Sequence, residues 1–238
     1  MMKPLILNSR LSPTDKLPLD ETFAVGFPGC EEQLRVNIGA ACLPNYHAEW
    51  MWEMIQECAS EPLVIFVDGD VVFHESVLDI EMPDSAMMMG MREDRHFNPV
   101  TKAIHVERLH TCVLWVRPQR VLAATDALNA RWQGMPLRGV LPIHQIMMPP
   151  CSDDGYDQPH FFDTGAMAYH WWPNQMATLL GRESERFTHL HCGEWSVVAE
   201  ANGMKGLQEA HRQLRAGTMP FAVWRLQCAA FYRERAVG

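Results

Sequence analysis

Asp68 and Asp70 stand one glycine apart in the apolar run PLVIFVDGDVVF, Pro62 to Phe73. In an extended chain, residues two apart project to the same side. Both carboxylates can therefore grip one divalent cation or a metal-bound diphosphate, with Gly69 letting a ligand approach the backbone. Without a cation, two carboxylates that close repel each other and tend to take up a proton or a positive ion. Taken alone, the three residues favour a plain turn, because Asp-Gly is a common turn dipeptide.

A second chemical cluster is THLHCGEWS. His189 and His191, two apart on a short extended segment, would point to one side, and neutral imidazole is a good ligand for Mn2+ or Zn2+. A structural zinc site of His189, His191, Cys192 and a remote cysteine competes with this, but no second close-spaced Cys or His pair supports it. The plainer alternative is a pair of hydrogen-bonded polar residues at a core edge. No P-loop, GxGxxG, GxSxG or HExxH pattern occurs, which removes the NTPase, dinucleotide-binding, serine hydrolase and zincin readings.

The elements that must position these groups follow from the hydrophobic pattern. Leu5 to Leu7 predicts a first strand, followed by the turn-rich NSRLSPTDKLP, and Thr22 to Val25 predicts a second, closed by Gly26, Pro28 and Gly29. Asn45 is a plausible N-cap for a helix over about Tyr46 to Ala59, with His47, Met51, Met54, Ile55 and Cys58 on one face. Pro62 stops it, and the unbroken apolar run Leu63 to Val67 predicts a buried strand. Strand, helix, strand in this order implies a parallel sheet, in which ligands bind beyond the carboxyl ends of the strands, where Asp68 and Asp70 emerge.

Farther on, Ala86 to Met91 and Leu109 to Val116 predict strands and Pro118 to Trp132 a helix. His110 reads as a buried, hydrogen-bonded residue. Met147 to His160 reads as a loop, and about Gly203 to Ala216 as a helical tail. The Met runs (Met87, Met88, Met89, Met91; Met147, Met148) read as adaptable core. One of Trp171 and Trp172 is expected in the core, and either could stack on a sugar or base.

Composition sets the frame. The chain has 238 residues, 47% apolar and 21% charged, an ordinary globular composition with room for one large core. Apolar runs of about six residues fall far short of the roughly 20 that span a bilayer, and MMKPLILNSR lacks a signal-peptide core. The expectation is a cytoplasmic protein. Seven scattered cysteines without a CxxC fit reduced thiols. The net charge of −9 is uneven: residues 1–91 carry 4 basic and 15 acidic side chains, residues 92–138 carry 8 and 4. The acidic total argues against broad nucleic-acid binding, while the basic segment could face a phosphate or be a solvated face.

With its flanks, PLVIFVDGDVVF resembles the DxD segment of GT-A-fold glycosyltransferases of the glycosyltransferase 2-like type. Upstream, Arg35, Asn37 and Gly39 in LRVNIGAA and the helix after them are similar to that family's loop and helix before the DxD strand. Downstream, LHTCVLWVRP and FFDTGAMAYH look like its acceptor half. The resemblance covers roughly residues 1 to 195, with the DxD block as its specific part. It implies a Rossmann-like α/β domain with a mixed, mostly parallel sheet flanked by helices. Residues 1–91 would be the donor and metal half, 92–200 the acceptor half and 201–238 a helical tail.

The resemblance also implies a metal-dependent hexosyl- or pentosyltransferase. Mn2+ or Mg2+ would be held by Asp68 and Asp70, with His191, or second His189, completing the shell and the ion bridging the nucleotide-sugar diphosphate. Arg10, Arg35 and Asn37 are the further donor-binding candidates, with Asn8, Ser9 and Asp15 as nearby polar groups. Arg92 and Arg95 are alternative phosphate contacts. Asp163 in FFDTG stands alone where the family often has an acidic pair, and as base it would give an inverting displacement; without it a retaining course remains. The acceptor is a hydroxyl, on a glycan foremost, or on a hydroxymethylated pyrimidine in viral DNA. Two other classes stay open: a nucleotide-sugar pyrophosphorylase or nucleotidyltransferase, for which NSRLSPTD is not the usual Gly-rich loop, and a noncatalytic nucleotide- or carbohydrate-binding module.

Overall fold

Leu63 to Val67 is apolar throughout because both faces of its strand are covered. In β3 (Val64–Asp68), Val64 and Phe66 point into one buried cluster while Ile65 and Val67 point into another on the opposite face. The computed structural model describes residues 3–10, 17–38, 46–98, 102–131, 145–150 and 158–189. Among them no helix is long and apolar enough to cross a membrane.

The fold is mixed α/β. β1 (Leu5–Arg10) pairs in parallel with β2 (Leu34–Ile38) and with β3. β8 (Arg108–Val116) is antiparallel to β3 and to β5 (Met88–Glu93), and β11 (Met176–Thr178) is parallel to β5. The sheet order is β11-β5-β8-β3-β1-β2, so β8 alone runs against the other five strands. α1 (Pro18–Gly26) contributes Leu19 and Phe23 to the cluster on one face. On the other face, α2 (Tyr46–Glu57) contributes Trp50, Met51 and Ile55, α3 (Pro118–Arg131) Val121, and α4 (Ala166–Trp171) Ala168.

Two small sheets flank this frame. β4 (Val71–Phe73) pairs antiparallel with β12 (Phe187–His189). β6 (His96–Asn98), β7 (Ala103–His105), β10 (His160–Phe162) and β9 (Ile146–Met148) form the other, in that order.

Several sequence expectations are corrected. Thr22 to Val25 is helical, within α1. Pro18 supplies a preset φ at the first helical position, and Asp20 accepts a hydrogen bond from Leu17 N at 3.0 Å. These start signals, and the i, i+4 pair Leu19 and Phe23, outweigh the β-propensity of a four-residue window. The segment around Arg35 and Asn37 is strand β2, not loop, because β1 offers it a full parallel partner. Met147, Met148 and His160 belong to strands that pair antiparallel, with His160 opposite Met148. Met147 and Met148 are half exposed rather than core. Met87, Met88 and Met89 are buried as expected. Asn45 and the 203–216 tail lie outside the described residues.

Candidate functional site

The strand β3 ends at the carboxyl edge of the sheet, and the chain turns immediately into β4. Asp68 continues the row of Val64 and Phe66 and so faces α2, where His47 Nε2 lies 3.8 Å from its Oδ1. Asp70 is the second residue of the turn and is buried. Its partner arrives from 119 residues away, because β12 pairs with β4 with His189 opposite Val71. His189 Nε2 is 3.1 Å from Asp70 Oδ1 and 3.9 Å from Asp68 Oδ2. One ligand atom from each of Asp68, Asp70 and His189 falls within 4.8 Å of the others.

Gly69 has a packing reason. A Cβ there would overlap Leu17 Cδ1, and its carbonyl accepts the Leu19 N–H at 3.1 Å. The expectation that the glycine serves ligand approach gives way to this: the room at Gly69 is taken by the N-terminus of α1. Gly69→Ala is therefore expected to force the buried Leu17 side chain out of its rotamer and cost about 1 kcal/mol, read as a lower urea midpoint with unchanged slope.

β8 supplies the opposite wall. Gly90 of β5 pairs with Leu114 and Arg92 with Leu109, so His110 to Val113 bow out opposite Met91 alone. Such bulges re-aim side chains, and this one brings the His110 ring to 4.6 Å from that of His189, edge to face. His110 Nδ1 accepts the Cys112 N–H at 3.1 Å. Cys112 joins His110 and His189 in a second set of closely spaced ligand atoms.

Beneath lies a buried ionic knot. Arg108, at the head of β8, donates through Nε to Glu93 Oε2 at 2.8 Å, through Nη2 to Asp163 Oδ2 at 2.9 Å and through Nη1 to the Thr164 carbonyl at 3.1 Å. Asp163 Oδ1 accepts from Gln145 Nε2 at 2.5 Å and from Thr164 N at 2.7 Å. Both Asp163 oxygens are thus engaged.

The charges interact. Burial raises the Asp68 pKa, and the Asp70 carboxylate adds to this while His47 and His189 pull the other way. Burial disfavours the charged His189, yet Asp70 and Asp68 more than offset it and hold its pKa above the usual value. Burial, then the two aspartates, push the Cys112 thiol well up. Asp163 is buried too, but Arg108 and the two further donors hold it below the ordinary carboxylate value.

No known protein family matches the sequence, and no curated protein does. A solved structure of a glycosyltransferase involved in the glycosylation of the major capsid of PBCV-1 superposes with a TM-score of 0.31 and 16% identity, covering 56% of this chain and 70% of that chain. A likeness at that level decides nothing about this site, whose reading rests on its own geometry.

Among the other sequence candidates, Asn37 lies level with Ser9 and Asp68 in the strand register, two strands from Asp68, or about 10 Å. Arg35 is two residues nearer the amino edge and exposed, and its charge acts on Cys58 beyond the far end of α2; the structure does not bring it to Asp70. Arg10 closes β1 in register with Ile38; its side chain, Asp15 and His191 lie outside the described residues. Asn8 is buried and donates to the Val67 carbonyl at 2.7 Å, while the buried Ser9 Oγ has no hydrogen-bond partner among the described residues. Arg92 is half exposed and pairs with Asp94 and Glu107. Trp171 and Trp172 are both partly buried, Trp172 against the α2-side core. Sequence reasoning missed Arg108, Glu93, Gln145 and the site role of His47; a lone arginine heading an eight-residue apolar strand was the available signal.

Proposed function

We propose that the protein is a metal-dependent glycosyltransferase that takes a sugar from a nucleotide-sugar donor. The observation that supports this is the convergence of Asp68, Asp70 and His189, from segments 119 residues apart, at the carboxyl edge of a mostly parallel sheet. Two carboxylates and one imidazole suit Mn2+ or Mg2+, and three protein ligands leave positions for diphosphate oxygens. When bound, the ion supplies neutralisation of the charge that develops on the leaving nucleoside diphosphate.

The chain's own residues do the rest. Asp68 and Asp70 would hold the ion and so set where the diphosphate sits, with His189 from β12 as the third protein ligand. The Ser9 hydroxyl, without a partner among the described residues and level with Asp68 on the neighbouring strand, is available to a donor hydroxyl or carbonyl. Arg108 keeps a buried positive charge that acts on Asp68. Asp163 serves as base only if it sheds one of its three donors. As arranged, it positions Arg108, which favours a course in which acceptor deprotonation does not fall to Asp163 alone.

A thermal-shift screen against UDP-, GDP-, ADP- and CMP-sugars with Mn2+, Mg2+ or EDTA tests the reading. A ligand that binds only the folded state at about 100 times its Kd stabilises by about 2.7 kcal/mol. The expected result is a metal-dependent rise with one nucleotide class, accompanied by slow release of free sugar. Stabilisation by a nucleoside triphosphate with pyrophosphate release would instead mark a nucleotidyltransferase, and donor binding without turnover a binding module.

A further inference from the structure

The small sheet carries a cleft that the donor site does not use. Its pairing places Phe97, Ile104, His160 and Met148 in one cross-strand row, on one face. Phe162 and Val106, two residues on from His160 and Ile104, extend that face. Of these, Val106, Met148, His160 and Phe162, with Pro149 and Pro150, line a cleft of about 450 Å3, the size of a small-molecule site (about 300–1,000 Å3). Five of its eight lining residues are apolar: Val106, Met148, Pro149, Pro150 and Phe162. Phe97 and Met148, in the same row, are 49% and 46% exposed.

The polar part of the lining is basic in character. It consists of Arg95, His160 and His170, and Arg95 contacts His160 Nε2 at 2.5 Å. A guanidinium beside an imidazole, in a chain of net charge −9, is complementary to an anionic group. The cleft's residues adjoin those of the ionic knot along the chain: Phe162 precedes Asp163, and Val106 is two residues before Arg108. A free sugar needs hydrogen-bonding partners around its ring, and of the eight lining residues only Arg95, His160 and His170 carry polar side-chain groups, beside five apolar ones.

We propose that this cleft binds a flat aromatic body bearing an anionic group. Its ring lies against Phe162, Met148 and the two prolines, and its charge faces Arg95. That this molecule is the hydroxyl acceptor rests on the transferase reading; the binding itself does not.

The test uses the full chain without metal or nucleotide. Fluorescence of anilinonaphthalene sulfonate, itself an aromatic anion, is titrated against wild type, Met148→Glu, Arg95→Gln and the control Val36→Glu. All three substituted positions are exposed, so the variants keep the fold, checked by a cooperative melt. Saturable binding with about one site is expected. Met148→Glu and Arg95→Gln should each weaken it about tenfold, the equivalent of about 1.4 kcal/mol, and Val36→Glu should leave it unchanged. Displacement by para-hydroxybenzoate but not by maltose supports the aromatic anion. No saturable binding, equal weakening by Val36→Glu, an unaffected Met148→Glu, or displacement by maltose overturns it. Because the donor screen is separate, failure here leaves the donor reading standing, and the reverse also holds.

Discussion

Asp70→Asn should lower donor turnover about 10^3-fold while leaving the protein folded. The magnitude is that of removing an anionic ligand from a cation that carries several kcal/mol of transition-state charge, about 4 kcal/mol at about 1.4 kcal/mol per tenfold. Opposing changes keep the fold intact. The substitution loses the 3.1 Å contact to His189 but also relieves the repulsion with which Asp70 raises the Asp68 pKa. The melting temperature without metal should stay near wild type, and the rise on adding Mn2+ with the donor nucleotide should vanish. A variant that melts much lower, or that keeps its turnover, would show that Asp70 acts through packing and not through a cation.

Arg108→Met should be the most destabilising single change in the described residues, by about 3–5 kcal/mol, because it strands the Glu93 and Asp163 carboxylates in a buried site. The triple variant Arg108→Met, Glu93→Gln, Asp163→Asn should recover much of that loss, since no uncompensated charge remains. The pH dependence follows from the sign of the Asp163 shift. In the wild type the folded pKa is depressed by Arg108 and its neighbours. That contribution is therefore fully present above the unfolded value of about 3.9 and is lost as pH falls through the lower folded value. In Arg108→Met the depression disappears and burial dominates, so acidification should narrow the gap between variant and wild type. Urea midpoints measured from pH 7 down to pH 3 read both effects. An equal gap at all pH values would place the arginine's contribution outside the ion pair.

The legible parts of the sequence were those where one local signal settled the outcome. A five-residue apolar run could only be a strand covered on both faces, so β3 and the sheet-edge position of Asp68 followed. The helix after Tyr46 declared itself by its apolar face in the same way. Thr22 to Val25 misled because its β-rich composition was judged without Pro18 and Asp20, which start a helix upstream. The arrival of His189 depended on the β4 and β12 pairing, a contact across 119 residues that no local pattern encodes. Arg108 was missed for a related reason: its importance lies in two carboxylates, Glu93 and Asp163, that only the β8 pairing and the turn after β10 bring to it. Gly69 was assigned to ligand approach when its missing side chain makes room for Leu17.

The measurement that most directly tests the central claim is Mn2+ binding followed by electron paramagnetic resonance, in which the signal of the free aquo ion falls as the protein takes it up. Wild type, Asp68→Asn with Asp70→Asn, and His189→Gln are compared, each alone and with UDP, GDP or ADP. The account predicts one Mn2+ per wild-type chain, held more tightly with one of the diphosphates, no uptake by the double aspartate variant and weakened uptake by His189→Gln. Wild type that leaves the free-ion signal unchanged with every nucleotide, or variants that bind as well as wild type, would contradict it.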